Sequence, residues 1–376
     1  MTRIYLIRHG EAEGNLYRRF HGWYDSFLTD TGKKQLSYLS QRFEHIPVDA
    51  VYASELRRAH DTAQAVAEPK GLSVQVEPGL RELGVGIYED LPFGELGHRC
   101  PEVKRRFLSC SPHFAPQGGE TFHQVAQRMT KTFFRIAQAH PDQTVAIGSH
   151  STAIRCLQAA LRGKHPSQMT QELTLCENTG VSCYEVQGEK FRIIFENDAS
   201  HLPPALATMA RRQRSFGPVP TVWYESMDLE TEAEAYYTAR QDAWLSVHGS
   251  LRGFDGPGFL RDAKEQWEWD RRAVQRAYDG DRPVGILQLA ILDGVRDGIG
   301  HVPFLYVESD MRRKTIGVQL LGQAISTYRS LGRRRLRLQC ASDNAPAMAF
   351  YLRYGFQKVG QVPGAVVTLD LLEKEL

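Results

Sequence analysis

Residues 1–15 read MTRIYLIRHGEAEGN, a short apolar run that stops abruptly at Arg8 and His9. Ile4, Tyr5, Leu6 and Ile7 form the unbroken apolar stretch expected of a strand buried on both faces of a parallel sheet. Directly behind it an arginine, a histidine, a glycine, a glutamate and an asparagine crowd into Arg8–Asn15. In open α/β sheets ligands bind beyond the carboxyl ends of the strands, so this junction is where chemistry is expected.

Two further strands end in the same way. Asp49–Ala53 runs into Ser54-Glu-Leu-Arg-Arg58, and Thr144–Gly148 runs into Ser149-His150. Between them Thr121 and Gln124 form a capping-box pattern, and Phe122, Val125, Ala126, Met129, Phe133, Ile136 and Ala137 recur at helical spacing. The βαβ alternation predicts a parallel sheet sandwiched by helices, and right-handed crossovers bring the three strand ends to one edge. One site would then hold Arg8, His9, Arg58 and His150. Two arginines suit a phosphate dianion, because each guanidinium matches its oxygens bidentately and stays charged. The same cations disfavour a proton on a neighbouring imidazole, leaving one histidine neutral and nucleophilic toward phosphorus. A leaving alkoxide needs a proton, which a carboxylic acid of raised pKa close to the phosphate would supply.

The segments RHGEAEGN (8–15), SELRRAHDTA (54–63), LRELGVGIYEDL (80–91), GSHSTAIR (148–155) and ENDASHL (196–202) together resemble the histidine phosphatase superfamily, the phosphoglycerate mutase-like fold, in the same order over residues 1–203. The resemblance implies His9 as the phosphorylated nucleophile, Arg8, Arg58 and His150 as phosphoryl-binding groups, Glu82 as proton donor and Asn15 as a further contact of the phosphate pocket. It implies a three-layer α/β/α domain. The stretch between Glu82 and Gln124 is of the shorter kind in this family, which favours hydrolysis over phosphoryl transfer. The chain departs from the family at Ser151 and Thr152, where glycine usually follows the second histidine. Glu11 is either functional or a surface carboxylate, and Arg18, Arg19 and Lys104–Arg106 either meet the substrate or are solvated.

Near Pro203 the periodicity stops, and a Pro- and Gly-bearing stretch places a linker over 204–220. The remaining residues, 221–376, read as a different fold. Helical sequence around Thr231–His248 precedes strand-like Val284–Ile291 and His301–Val307, then a helix with Ile316, Leu320, Leu321, Ile325 and Tyr328 on one face. A strand-to-helix turn such as Arg312–Gly317 turns backbone N–H groups and a helix dipole toward an anion, a pyrophosphate in particular. ESDMRRKTIGVQLL (308–321) and SDNAPAMAFYLRYGF (342–356), with the strand-like RAYDGDRPVGILQL (276–289), resemble the GNAT acetyltransferase family. That resemblance implies an α/β domain with a central mixed sheet, and acetyl-CoA held by Val307, Arg312, Arg313, Lys314, Thr315, Ile316 and Gly317 with its pantetheine chain along a splayed strand. Asn344 would contact or brace the cofactor, and Tyr351 would protonate the departing thiolate. Thr315 stands where the family has glycine: in a right-handed conformation its hydroxyl can cap the helix, whereas a positive φ strains a β-branched residue. Glu308 is either an acceptor base or a surface carboxylate, and Arg333–Arg335 either reach a CoA phosphate or form a solvated turn.

Composition bounds the remaining classes. The 376 residues, 42% apolar and 24% charged with a formal net charge of +2, describe two soluble domains and give no global basis for binding nucleic acid or an anionic membrane. Six scattered cysteines predict free thiols, no metal is expected, and Ile4–Ile7 is too short for a signal-peptide core, so the expected compartment is the cytoplasm. The expected partners are a small phosphorylated metabolite and a small amine. The expected function is bifunctional, with a phosphatase regulated by a non-catalytic acetyl-CoA sensor as the alternative.

Overall fold

A computed structural model describes residues 1–168, 176–209 and 219–376. Its described residues form two compact units, one of residues 1–91 and 99–209, the other of Pro92–His98 and 219–376. Among them no helix is long and apolar enough to cross a membrane, and the six cysteines are unpaired.

The first unit is built on a six-stranded sheet of order β3-β2-β4-β1-β5-β6. Its strands are β1 (Thr2–Arg8), β2 (Ala50–Ala53), β3 (Val74–Val76), β4 (Thr144–Ser149), β5 (Val181–Gln187) and β6 (Lys190–Asp198). The apolar run Ile4–Ile7 lies in the middle of this sheet and is buried throughout, which is why it is continuous and not alternating. Strands β1 to β4 are parallel, and helices α1 (Glu13–Tyr17), α2 (Asp30–Phe43), α3 (Arg57–Ala67), α4 (Phe93–Arg99), α5 (Pro101–Leu108), α6 (Phe122–Ala139) and α7 (Ser151–Leu161) occur along the chain. The capping box at Thr121 and Gln124 starts α6, and all seven apolar positions expected on its inner face are buried.

The sheet is not wholly parallel. Strands β5 and β6 form an antiparallel hairpin beside β1, turned at Gly188 with φ +62°. This return stroke starts β5 at the edge where β1 ends, so residues 176–180 lie beside Arg8 and His9: the Arg8 N–H donates to Gly180 O at 3.0 Å. Within the expected linker, Leu206 O accepts from Gln35 and Thr208 donates to Glu177 and Asn178, all in this unit. The linker residues 210–218 lie outside the described residues.

The second unit carries a seven-stranded mixed sheet of order β12-β13-β11-β10-β9-β8-β7, with β7 (Trp223–Ser226), β8 (Val274–Asp279), β9 (Arg282–Ala290), β10 (Ile299–Val307), β11 (Arg335–Ala341), β12 (Gln357–Val362) and β13 (Leu369–Glu375). The stretch 276–289, expected as strand, is the two-stranded hairpin β8–β9, turned at Gly280. Strand β10 pairs in parallel with β11 only over Ile299–Val302, while its remaining half, Phe304–Val307, pairs with β9 alone after a register shift. β10 and β11 therefore part company in mid-strand, as a splayed strand requires. The helix Ile316–Ser330 buries Ile316, Leu320, Leu321, Ile325 and Tyr328.

Candidate functional site

In the first unit the ends of β1, β2 and β4 gather Arg8, His9, Arg58 and His150 at one edge, and Glu82 joins them. All five side chains are buried. The His9 and His150 rings are 5.2 Å apart, centroid to centroid. His9 Nδ1 lies 2.7 Å from Gly10 O. A carbonyl only accepts, so Nδ1 carries the proton and the Nε2 lone pair is left free. Burial first, then the Arg58 and Arg8 guanidiniums, push the His9 pKa well below the ordinary imidazole value. The same two influences, burial and then Arg58, do so for His150. Two neutral imidazoles thus sit among two cations.

The arginines are held by carbonyls and by no carboxylate. Arg58 opens α3 and donates from Nη1 to Tyr24 O at 2.8 Å and from Nη2 to Gly22 O at 2.7 Å. Arg8 donates to Cys176 O, and its buried Nε has no partner among the described residues. Among the described residues neither guanidinium forms a direct ion pair; carboxylates, Glu82 among them, act on both only at longer range. Leaving buried cations uncompensated is costly unless an anion completes the site.

His150 is the N-cap residue of α7. Its Nε2 is 2.7 Å from Ser54 Oγ, and its buried Nδ1 has no partner among the described residues. Glu82 sits at the same helix start. Its carboxylate accepts from the N–H groups of Leu83 at 2.8 Å, Thr152 at 3.1 Å and Ala153 at 3.0 Å. The departure at Ser151–Thr152 therefore adds side chains without closing the helix terminus to Glu82. Asn15 is held less directly. Its Oδ1 accepts from Ala12 N–H at 3.1 Å and from Asn178 Nδ2 at 3.3 Å, and Asn178 also donates to His9 O at 3.1 Å.

Several neighbours escaped the sequence reading. Arg19, left between substrate contact and solvated charge, is 7% exposed and pairs with Asp90 at 2.6 Å. Asp90 also binds His21 Nε2 at 2.8 Å. Burial would push the Asp90 carboxyl up, but His21 and Arg19 outweigh it and hold it well below the usual range. Glu11 is buried and accepts from Thr29 Oγ1 at 2.8 Å, which makes it an internal brace and not a surface charge. Of the basic run at 104–106, Arg105 and Arg106 pair with exposed Glu102. Asn178 and Ser54 carry no motif of their own, although Ser54 opens the SELRRAHDTA segment.

The model of the histidine phosphatase superfamily (branch 1) matches residues 4–199, more than half of the chain. This chain belongs to the histidine phosphatase superfamily. The model of the acetyltransferase (GNAT) family matches residues 232–356, so the chain also carries a GNAT domain. Phosphoserine phosphatase 1 of Hydrogenobacter thermophilus is 31% identical over 203 residues, 54% of this chain and 95% of that protein. The bifunctional protein Rv2228c of Mycobacterium tuberculosis is 36% identical over 160 residues, 42% of this chain and 43% of that protein. Among solved structures, Bacillus stearothermophilus YhfR superposes with a TM-score of 0.51 at 33% identity, covering 54% of this chain and 99% of its own.

In the GNAT domain the expected loop is exposed over Arg312, Arg313, Lys314 and Thr315 and leads into the buried Ile316. Arg313 and Thr315 have φ of +62° and +66°, whereas Lys314 between them does not. Such alternation turns successive N–H groups to one side, an anion-binding backbone. Thr315 is the N-cap residue without a side-chain cap, so of the two conformations open to it the strained one is found. A Cβ built on Gly317 would lie 3.4 Å from Phe350 and 3.8 Å from Val307, which places the loop's helix between the end of β10 and the helix Ala345–Arg353. That helix carries Tyr351, whose ring packs on Phe356. Burial, then the Cys340 thiol, push the Tyr351 phenol up, so it keeps its proton. Asn344 caps the same helix through Oδ1, 3.2 Å from Ala347 N–H, and its place is that of a brace. Glu308 accepts from Tyr306 at 3.0 Å, and the same phenol reaches Asp242 at 2.9 Å. Arg333 is buried and donates to Ile291 O at 3.0 Å, so it belongs to the fold and not to a solvated turn. These residues fit acetyl-CoA: an amide-lined turn, a splayed strand and a protonated phenol.

Proposed function

We propose that the chain is a bifunctional enzyme: a phosphomonoesterase over residues 1–203 that works through a phosphorylated His9, and an acetyl-CoA-dependent N-acetyltransferase over 221–376. The observation that carries the first activity is the pair of buried guanidiniums bonded only to carbonyls, with N–H groups left for an anion, beside a neutral imidazole whose Nε2 lone pair is free. Arg8 and Arg58 take up the phosphate dianion. His9 Nε2 attacks phosphorus, its Nδ1 proton held by Gly10 O, while the bond to the ester oxygen breaks. Glu82, acting as general acid, gives a proton to the departing alkoxide. The resulting carboxylate then takes a proton from the water that attacks phosphohistidine, releasing phosphate and restoring both groups. His150 donates a hydrogen bond to the phosphoryl oxygens through Nδ1.

The similar Hydrogenobacter protein is named a phosphoserine phosphatase, and the chain joins a phosphatase domain to a GNAT domain. A small phosphorylated metabolite bearing an amine is accordingly the substrate class we propose, with hydrolysis of p-nitrophenyl phosphate and of a panel of phosphorylated metabolites as the test. His9→Ala must abolish turnover if the reading holds.

In the second domain acetyl-CoA, when bound, supplies the acetyl thioester. The backbone of Arg312–Gly317 would hold its pyrophosphate, Val307 and the splayed half of β10 its pantetheine chain, and Tyr351 a proton at its phenol oxygen. The alternative, a GNAT domain that binds acetyl-CoA without turnover and regulates the phosphatase, is favoured by one observation, the strained and uncapped Thr315. Acetyl transfer to an amine panel, with and without Tyr351→Phe, separates the two, because acetyl-CoA binding without turnover selects the sensor.

A further inference from the structure

We propose that Glu89 is a positioning residue for Arg58, an inference that rests on the phosphatase reading above. The Glu89 carboxylate accepts from four backbone N–H groups: Trp23 at 2.7 Å and Val85 at 3.1 Å on Oε1, Gly22 at 3.0 Å and Tyr24 at 2.8 Å on Oε2. The amides of residues 22, 23 and 24 thus all turn toward one carboxylate. The carbonyls of Gly22 and Tyr24 are the two acceptors of the Arg58 guanidinium. Those two bonds fix the plane of the fork and leave its remaining N–H groups for an anion.

The loop has little freedom to adopt any other path. A Cβ on Gly22 would collide with Leu83 O and Glu89 Oε1, so the backbone passes closer to the Glu82–Val85 segment than any side chain permits. Trp23 Nε1 donates to Glu82 O at 3.0 Å, which ties the loop to the residue proposed as proton donor. Glu89 touches neither the histidines nor the phosphate pocket. Its charge acts on Arg58 at longer range, and its bonds to the 22–24 amides set the two carbonyls that hold the guanidinium.

Orthovanadate binding in a double-mutant cycle tests this. Glu89→Gln, equal in size, sets an NH2 group against amides that need an acceptor, and it should weaken vanadate about 10-fold. Arg58→Ala should weaken it about 100-fold. The double variant should bind no more weakly than Arg58→Ala alone, because Glu89 has nothing left to position. Glu89→Asp, one methylene too short, runs through the same cycle so that the result does not hang on the folding of one variant. Multiplicative losses in the double variants, with wild-type binding intact, would overturn the positioning role alone. Failure of the wild-type protein both to bind vanadate and to hydrolyse phosphate esters would overturn the phosphatase reading and this inference with it.

Discussion

His9 and His150 stand at the ends of neighbouring parallel strands with their rings 5.2 Å apart, and both are kept neutral by burial and by Arg58. The imidazole proposed to attack and the one proposed to donate are thus set side by side, with the Arg8 and Arg58 guanidiniums and the Glu82 carboxylate around them.

Neutral buried histidines tie stability to pH. The pKa values of His9, His150 and His21 are lowered by burial, and that of His201 is lowered to about 4 by burial and Arg42. Each binds its proton more readily in the unfolded chain, so stability rises with pH wherever the unfolded state is protonated and the folded state is not. Denaturant titrations of the first unit should show stability complete above about pH 6.5 and falling progressively toward pH 4. A flat profile across that window would contradict the shifts.

Glu82→Gln should leave a good leaving group such as p-nitrophenol nearly unaffected while slowing alkyl phosphates by about 100-fold or more. Linear free-energy plots of rate against leaving-group pKa provide the check. Equal slowing across the series would remove Glu82 from the acid's role.

Arg19→Ala removes the 2.6 Å ion pair from the half-buried Asp90. The loss should cost about 2 kcal/mol of stability to the first unit, read as a lower denaturation midpoint. Arg19→Lys should recover part of it. No change in midpoint would mean that the pair is solvated after all.

Thr315→Gly should stabilise the second unit by about 1 kcal/mol, because a β-branched residue held at positive φ stores strain that glycine does not. The denaturation transition of that unit should move upward. A downward shift would show that the Thr315 side chain contributes contacts that outweigh the strain.

Much of the fold was written locally. The run Ile4–Ile7 declared a central strand, and Thr121 with Gln124 declared the start of α6, because burial on two faces and helix capping leave marks within a few residues. The convergence of Arg8, Arg58 and His150 followed from crossover handedness alone. What stayed hidden depends on pairings across long stretches of chain. The antiparallel return of β5 brings Asn178 to His9, yet nothing near residue 178 announces it. Arg19 and Asp90 meet across 71 residues without a shared period, and Arg19 therefore read as a solvated charge or a substrate contact and not as half of a buried pair. The φ of Thr315 was legible only as a choice between two conformations, since the same residue type caps helices in one and is strained in the other.

The central claim is that His9 is transiently phosphorylated. Mixing enzyme with substrate, quenching in alkali within the first turnover and mapping the modified peptide by mass spectrometry tests it most directly. One acid-labile phosphoryl group on His9, absent from His9→Ala, is the expected result. Steady hydrolysis with no phosphohistidine, or with the phosphoryl group on another residue, would contradict the account.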